Sequence, residues 1–141
     1  MARVMLVRPR WSDMDSFRHV NHAKMVTLLE EARVPMLFAD AGKAGLSEFA
    51  KGIVVVSLTV NYHAPVVVNG EDIRIEMTMR ELKFSSFTLG YKVHNGPSES
   101  DRVAVTASTR LAPYDTATER PRHLSDAERD FLQAHLEEDT A

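Results

Sequence analysis

The chain has 141 residues, 44% of them hydrophobic and 26% charged, with a formal charge of -3. That length fits one domain over 1–141, with enough apolar side chain to bury a core without disulfides or metal. The negative balance argues against a nucleic-acid binder held by a net positive field. The absence of cysteine removes disulfides, thiolate zinc sites and cysteine nucleophiles together.

The N-terminal MARVMLVRPRW has only a short apolar run before Arg8 and Pro9, unlike a secretory leader. The longest apolar run, Ile53 to Val60, is interrupted by Ser57 and Thr59. A membrane span needs about 20 apolar residues. These features and the lack of cysteine predict a cytoplasmic protein with no membrane partner.

Arg3 to Trp11 reads as a first strand, which Pro9 confines to an edge or a bulge. A polar stretch follows, DMDSFRHVNHAKM, from Asp13 to Met25. From His22 to about Ala41 the spacing of Met25, Leu28, Leu29 and Ala32 is helical, continued by Leu37 and Phe38. Asn21 is the expected N-cap, because its side chain can accept a free backbone N–H of the first turn. Pro35 is expected to end or kink the helix near Val34, with Gly42 and Gly45 marking the exit.

Ile53 to Tyr62 reads as a strand buried on both faces in its first half. Asn69-Gly70 signals a tight turn. In Glu71 to Leu82, Ile73, Ile75, Met77 and Met79 face one way. Phe87, Leu89, Tyr91 and Val93 repeat that alternation. A last long strand carries Val103, Val105, Ala107, Thr109 and Leu111. Ser125 and Glu128 have capping-box spacing ahead of Phe131, Leu132, His135 and Leu136, and Glu137-Glu138-Asp139 reads as a solvated tail.

Hairpin-linked strands imply one antiparallel sheet, and the long apolar helix must bury its face against it. The expected fold is α+β: five antiparallel strands wrapped around one long helix, with a short C-terminal helix. An unpaired edge strand and small residues such as Ala104, Ser108 and Ala112 on the other face suggest self-association.

At this point WSDMD, HVNHA and LLEEAR, followed by NYHAP and NGEDIRI, carry a resemblance to the hotdog-fold thioesterases of the 4-hydroxybenzoyl-CoA thioesterase type. It covers roughly Val4 to Leu124. The resemblance implies metal-free hydrolysis of an acyl-CoA thioester, without a cofactor. It implies a homodimer or a dimer of dimers with sites at the subunit interface. It also implies Asp15 as the catalytic carboxylate, and backbone amides at the helix start, near His22 and Ala23, aimed at the thioester carbonyl. Two positions depart from the family pattern: Arg18 stands where glycine is common, and Met25 where tyrosine is common.

The chemistry is consistent with these residue types. Thioester hydrolysis builds negative charge on an oxygen, which free N–H groups at a helix N-terminus stabilise. A nearby carboxylate can attack the carbonyl or activate water. The sequence leaves both roles open for Asp15. Asp13 reads as a structural brace, and His19 as a residue that orients the loop or touches substrate. The substrate-binding set is therefore His19, Asn21, His22 and Ala23. Glu30 reads as a structural or interface partner. His19 and His22 have a spacing that suits a metal, but no third ligand is close in sequence, so no metal is expected. Lys83 and Ser85, with Arg120 and Arg122, are candidates for CoA phosphates, because cations and hydroxyls suit phosphate oxygens. The alternatives are an acyl-thioester hydratase or dehydratase, with Asp15 and His19 as acid and base, and a non-catalytic acyl-CoA binding module.

Overall fold

The computed structural model describes residues 3–136, so the tail at Glu137 to Asp139 lies outside the described residues. The elements are β1 (Arg3–Val7), a 3-10 turn (Trp11–Asp13), α1 (His22–Val34), a π-helical turn (Pro35–Asp40), α2 (Ala41–Lys43), α3 (Glu48–Lys51), β2 (Ile53–Tyr62), β3 (Ile73–Leu82), β4 (Phe87–His94), β5 (Val103–Asp115), β6 (Arg120–Pro121) and α4 (Asp126–His135). Five strands form one antiparallel sheet in the order β1-β3-β4-β5-β2, and the two-residue β6 pairs with the end of β5. The expected architecture is found: a curled sheet, one long helix and a short C-terminal helix.

The alternation along β3 and β4 decides which sheet face is the core. Ile73, Ile75, Met77 and Met79 are buried, as are Phe87, Leu89, Tyr91 and Val93. On β5 the same face carries Val105, Ala107, Thr109 and Leu111. Against it α1 buries Met25, Leu28, Leu29 and Ala32. Each large apolar side chain taken out of water contributes about 1.5–3 kcal/mol. Met25 is a core side chain, 1% exposed.

Two expectations change, at the first strand and at β2. The first strand ends at Val7 rather than Trp11, because Pro9 has no N–H to offer a ladder. Pro35 interrupts the long helix where expected. The α-register stops at Val34, and the chain continues through the π-helical turn into α2 before leaving at Gly45, where φ is +82°. A wider turn absorbs the missing proline N–H and the bulk of its ring. The turn at Asn69-Gly70 forms, with Gly70 at φ +85° and the Glu71 N–H donating to the Asn69 side chain. It lies in a long connection, because β2 and β3 are not neighbours.

The largest difference concerns β2. It is an edge strand and pairs only with β5. By register with Leu111, Thr109, Ala107 and Val105, its residues Val55, Leu58, Val60 and Tyr62 point to the core side. Yet Val55 is 51% exposed and Leu58 39%, because the helix lies toward the β1 side of the sheet and does not reach over them. The run is apolar as read, but this single chain does not cover it.

Candidate active site

After β1 the chain makes the 3-10 turn and then doubles back on itself. The Asn21 N–H donates to the Asp13 carbonyl at 2.8 Å, the Asp15 N–H to the His19 carbonyl at 2.8 Å, and the Arg18 N–H to the Asp15 carbonyl at 3.1 Å. Arg18 sits at the tip with φ +62°, a left-handed conformation unusual for anything but glycine. The returning limb lies against the segment after β2. There the Val20 N–H donates to the Val66 carbonyl, and the Val68 N–H to that of Arg18. This small hairpin feeds directly into α1.

The two carboxylates of the hairpin have different surroundings. Asp13 is fully buried and is locked by Arg10, whose backbone N–H donates to Oδ2 at 2.7 Å and whose guanidinium reaches both oxygens. Burial pushes its carboxyl upward, but the hydrogen bonds from Arg10 outweigh that and hold it below the usual range. Asp13 thus braces the loop. Asp15 is half-buried. Its Oδ1 accepts the N–H groups of Phe17 at 2.8 Å and His19 at 3.1 Å, and among the described residues nothing donates to Oδ2.

At the helix start Asn21 caps α1 as predicted, its side chain accepting the Ala23 N–H at 2.9 Å. The Asn21 carbonyl receives the Met25 N–H at 3.0 Å. Among the described residues the amides of His22 and Lys24 have no acceptor, so the free donors at this helix end are His22 and Lys24, while that of Ala23 is engaged. The His22 carbonyl accepts the Tyr62 hydroxyl at 2.7 Å, a tie from the far end of β2 that no local spacing announces. His19 is half-buried; its backbone belongs to the hairpin and its ring lies tilted to Phe17, with centroids 6.3 Å apart. Among the described residues no group of three His, Asp or Glu gathers as a metal cluster.

The phosphate candidates converge, although they are distant in sequence. Lys83 and Ser85 lie in the turn between β3 and β4. The Leu124 N–H donates to the Phe84 carbonyl at 2.7 Å, which brings the segment with Arg120 and Arg122 beside that turn. Arg122 is already occupied. It holds Glu128 through two hydrogen bonds of 2.7 and 2.8 Å, while Glu128 also completes the Ser125 cap of α4. Lys83 has a weaker partner in Glu81 at 3.2 Å, and Arg120 is exposed. This cluster is at the Ile53 end of the sheet, whereas Asp15 and His22 are at the Tyr62 end. The strand between them spans about 30 Å at ~3.3 Å per residue.

A cavity of about 260 Å³ opens between the second half of α1 and the start of β2. Val34, Leu37, Phe38, Val55 and Leu111 make its apolar wall. Glu30 and Arg33 also line it, and Arg33 is buried, which composition and spacing did not signal.

The fold has close counterparts among solved structures. A protein of Bacillus stearothermophilus described as a predicted thioesterase superposes with a TM-score of 0.78 at 19% identity, covering 96% of this chain and 97% of the other. A thioesterase of Thermus thermophilus, complexed with coenzyme A and zinc, gives 0.73 at 23% identity, with 94% and 92% covered. A 1,4-dihydroxy-2-naphthoyl-CoA thioesterase of Synechocystis gives 0.74 at 14% identity, with 92% and 93% covered. No curated protein sequence matches the chain. At these identities the structures speak for the fold. The model of one family, however, matches residues 9–135, which include the Asp15 hairpin, every strand from β2 to β6 and α4, and on that match this chain belongs to the Thioesterase-like superfamily.

Proposed function

We propose that this chain hydrolyses acyl-CoA thioesters, with Asp15 as the reacting carboxylate. The observation that carries the reading is the Asp15 side chain itself. One oxygen is held by two loop amides and the other has no donor among the described residues, on a hairpin that runs straight into the open N-terminus of α1. The carbonyl oxygen would lie against that terminus, where the free His22 amide and the helix dipole favour developing negative charge. The Ala23 amide would serve only by sharing itself with Asn21. As a general base, Asp15 takes a proton from water, the hydroxide adds to the carbonyl, and the C–S bond breaks as the thiolate leaves and is protonated. As a nucleophile, its free oxygen displaces the thiolate to form an anhydride, which water then cleaves. Both routes give the free acid and the thiol.

The proposal includes a two-fold homodimer joined along the β2 edges, alone or within a dimer of dimers. A two-fold axis through the middle of an antiparallel β2 pair sets the Ile53 end of one protomer against the Tyr62 end of its partner. The cavity and the Lys83, Ser85 and Arg120 cluster of one copy would then face the Asp15 loop of the other. That supports CoA phosphate binding by these three residues, with Arg122 excluded by its bond to Glu128. The coenzyme A in the Thermus neighbour favours CoA as the carrier.

Asp15→Asn is the test. The amide oxygen of asparagine can still accept the Phe17 and His19 amides, so the loop and oligomer should survive. General-base roles of this kind are worth about 10²–10⁴-fold. Thiol release from a good acyl-CoA should fall by at least that lower figure. Turnover at the normal rate by a folded Asp15→Asn variant sinks the assignment.

A further inference from the structure

We propose that the cavity between α1 and β2 receives an acyl group that ends in a carboxylate, and that Arg33 is its ligand. The proposal rests on the thioesterase reading and names the substrate class for it. The wall of the cavity is apolar, as an acyl chain requires, but Arg33 sits in it with only 9% of its side chain exposed. A guanidinium carries five N–H donors in a planar fork. Those of Arg33 meet two acceptors, the Tyr91 hydroxyl oxygen at 3.5 Å and a Glu30 carboxylate oxygen at 3.6 Å. Charge-assisted hydrogen bonds normally close to about 2.7–2.9 Å. Glu30 is 63% exposed and solvated, so it neutralises the guanidinium poorly.

A second group beside the cavity is also unsatisfied. Thr109 lies two residues from Leu111 on the same face of β5, is 1% exposed, and has no hydrogen-bond partner for its Oγ1 among the described residues. Tyr91 pairs with Ala107 across the sheet, so Thr109 is its diagonal neighbour on the core face. Arg33 therefore lines the apolar hole with spare donors, and behind it on the core face of the sheet Tyr91 and Thr109 are polar side chains with spare capacity. A buried cation in that position calls for an anion, and the fork geometry of arginine matches a carboxylate through two parallel bonds. Glu30, at the solvent side, opposes the same anion.

The experiment compares kcat/KM for adipyl-CoA and suberyl-CoA with that for hexanoyl-CoA and octanoyl-CoA, pairs of equal carbon number. The wild type should favour the carboxylated member of each pair by at least tenfold. Arg33→Gln should cut that ratio at least tenfold, Arg33→Lys should keep part of it, and Glu30→Gln, at an exposed position, should raise it. Opposite shifts from the two neighbours are not what a general loss of folding produces. A wild type that prefers the neutral chains, or an Arg33→Gln variant that slows both members equally, overturns the proposal. So does an Arg33→Gln variant whose main effect is dimer dissociation, for the partner subunit would then supply the anion. If Arg33→Gln does not fold, the Glu30→Gln ratio decides. If no thioester is cleaved, the hydrolase reading falls separately. Equilibrium binding of the same four ligands then judges the pocket: tighter binding of the carboxylated pair, lost in Arg33→Gln, upholds it, and equal binding overturns it.

Discussion

The two edges of the sheet are built in opposite ways. The β1 edge is five residues long and stops before Pro9. It is tied inward by an ion pair from Arg3 to Asp40, near the end of the long helix, and outward by Arg8 to Asp72 at 2.9 Å. The β2 edge is ten residues long, with Val54, Val55, Val56 and Leu58 exposed, and its one described side-chain tie to the helix is Tyr62 to His22. Short length, proline and charge are how proteins blunt an edge against pairing. One edge of this molecule is blunted and the other is not. That contrast favours β2 as the joining edge of the proposed dimer, and the cavity opens on the same side.

Breaking the open edge should have the largest effect. Val55→Lys combined with Leu58→Lys puts two charges on the uncovered inner face of β2. Light scattering should show the dimer reduced to monomer, with thiol release reduced at least tenfold and far-UV circular dichroism retained. Leu6→Lys on the blunted edge, at a residue already 53% exposed, should change neither quantity. If both edges respond alike, the contrast has no bearing on assembly.

A smaller effect is expected at the single tie of the open side. Tyr62→Phe removes a hydrogen bond of the kind worth about 0.5–1.5 kcal/mol. It should increase hydrogen exchange at the start of α1 and lower turnover severalfold, with little loss of global stability. Loss confined to stability would make Tyr62 only a brace.

The smallest effect belongs to the closed side. Glu76 on β3 lies opposite Val4 of β1. Burial pushes its carboxyl up, but the hydrogen bond from Arg74 at 2.9 Å and the charge of His94 outweigh that, leaving it below the usual carboxylate range. A carboxylate with a lowered folded-state pKa adds stability above its unfolded value, and that stability is lost as pH falls through the folded value. Glu76→Gln should therefore flatten the loss of Tm on acidification below about pH 4.5. An unchanged acid limb would remove Glu76 from the account.

Much of this was legible in the chain because its causes are local. The alternation of Ile73, Ile75, Met77 and Met79 reports a half-buried strand directly, and the Asn21 and Ser125 caps depend on neighbours two or three residues away. The exposure of β2 is not legible for a physical reason: periodicity reports that side chains are apolar, not what covers them. Arg122 reads as a phosphate ligand because a cation suits phosphate oxygens, and only the fold shows that Glu128 both caps α4 and takes up its guanidinium. Tyr62 and Arg33 acquire their surroundings from segments 40 and 58 residues away, which no window along the chain samples. Asp13 and Asp15 are the clearest case. Spacing and the resemblance already read Asp13 as a brace and Asp15 as the reacting group, but the arginine that holds Asp13 and the donor-free oxygen of Asp15 come from the fold.

The left-handed Arg18 has a consequence for how this protein can vary. Glycine reaches that backbone conformation without steric cost, and β-branched residues reach it worst. Three backbone hydrogen bonds nevertheless hold it there: its N–H donates to Asp15, its carbonyl accepts from Val68 after β2, and Asp15 bonds His19. The loop shape is thus imposed by its neighbours and not by the side chain at its tip. A change of side chain at that position, short of a β-branched one, should therefore leave the Asp15 carboxylate three residues earlier in its place.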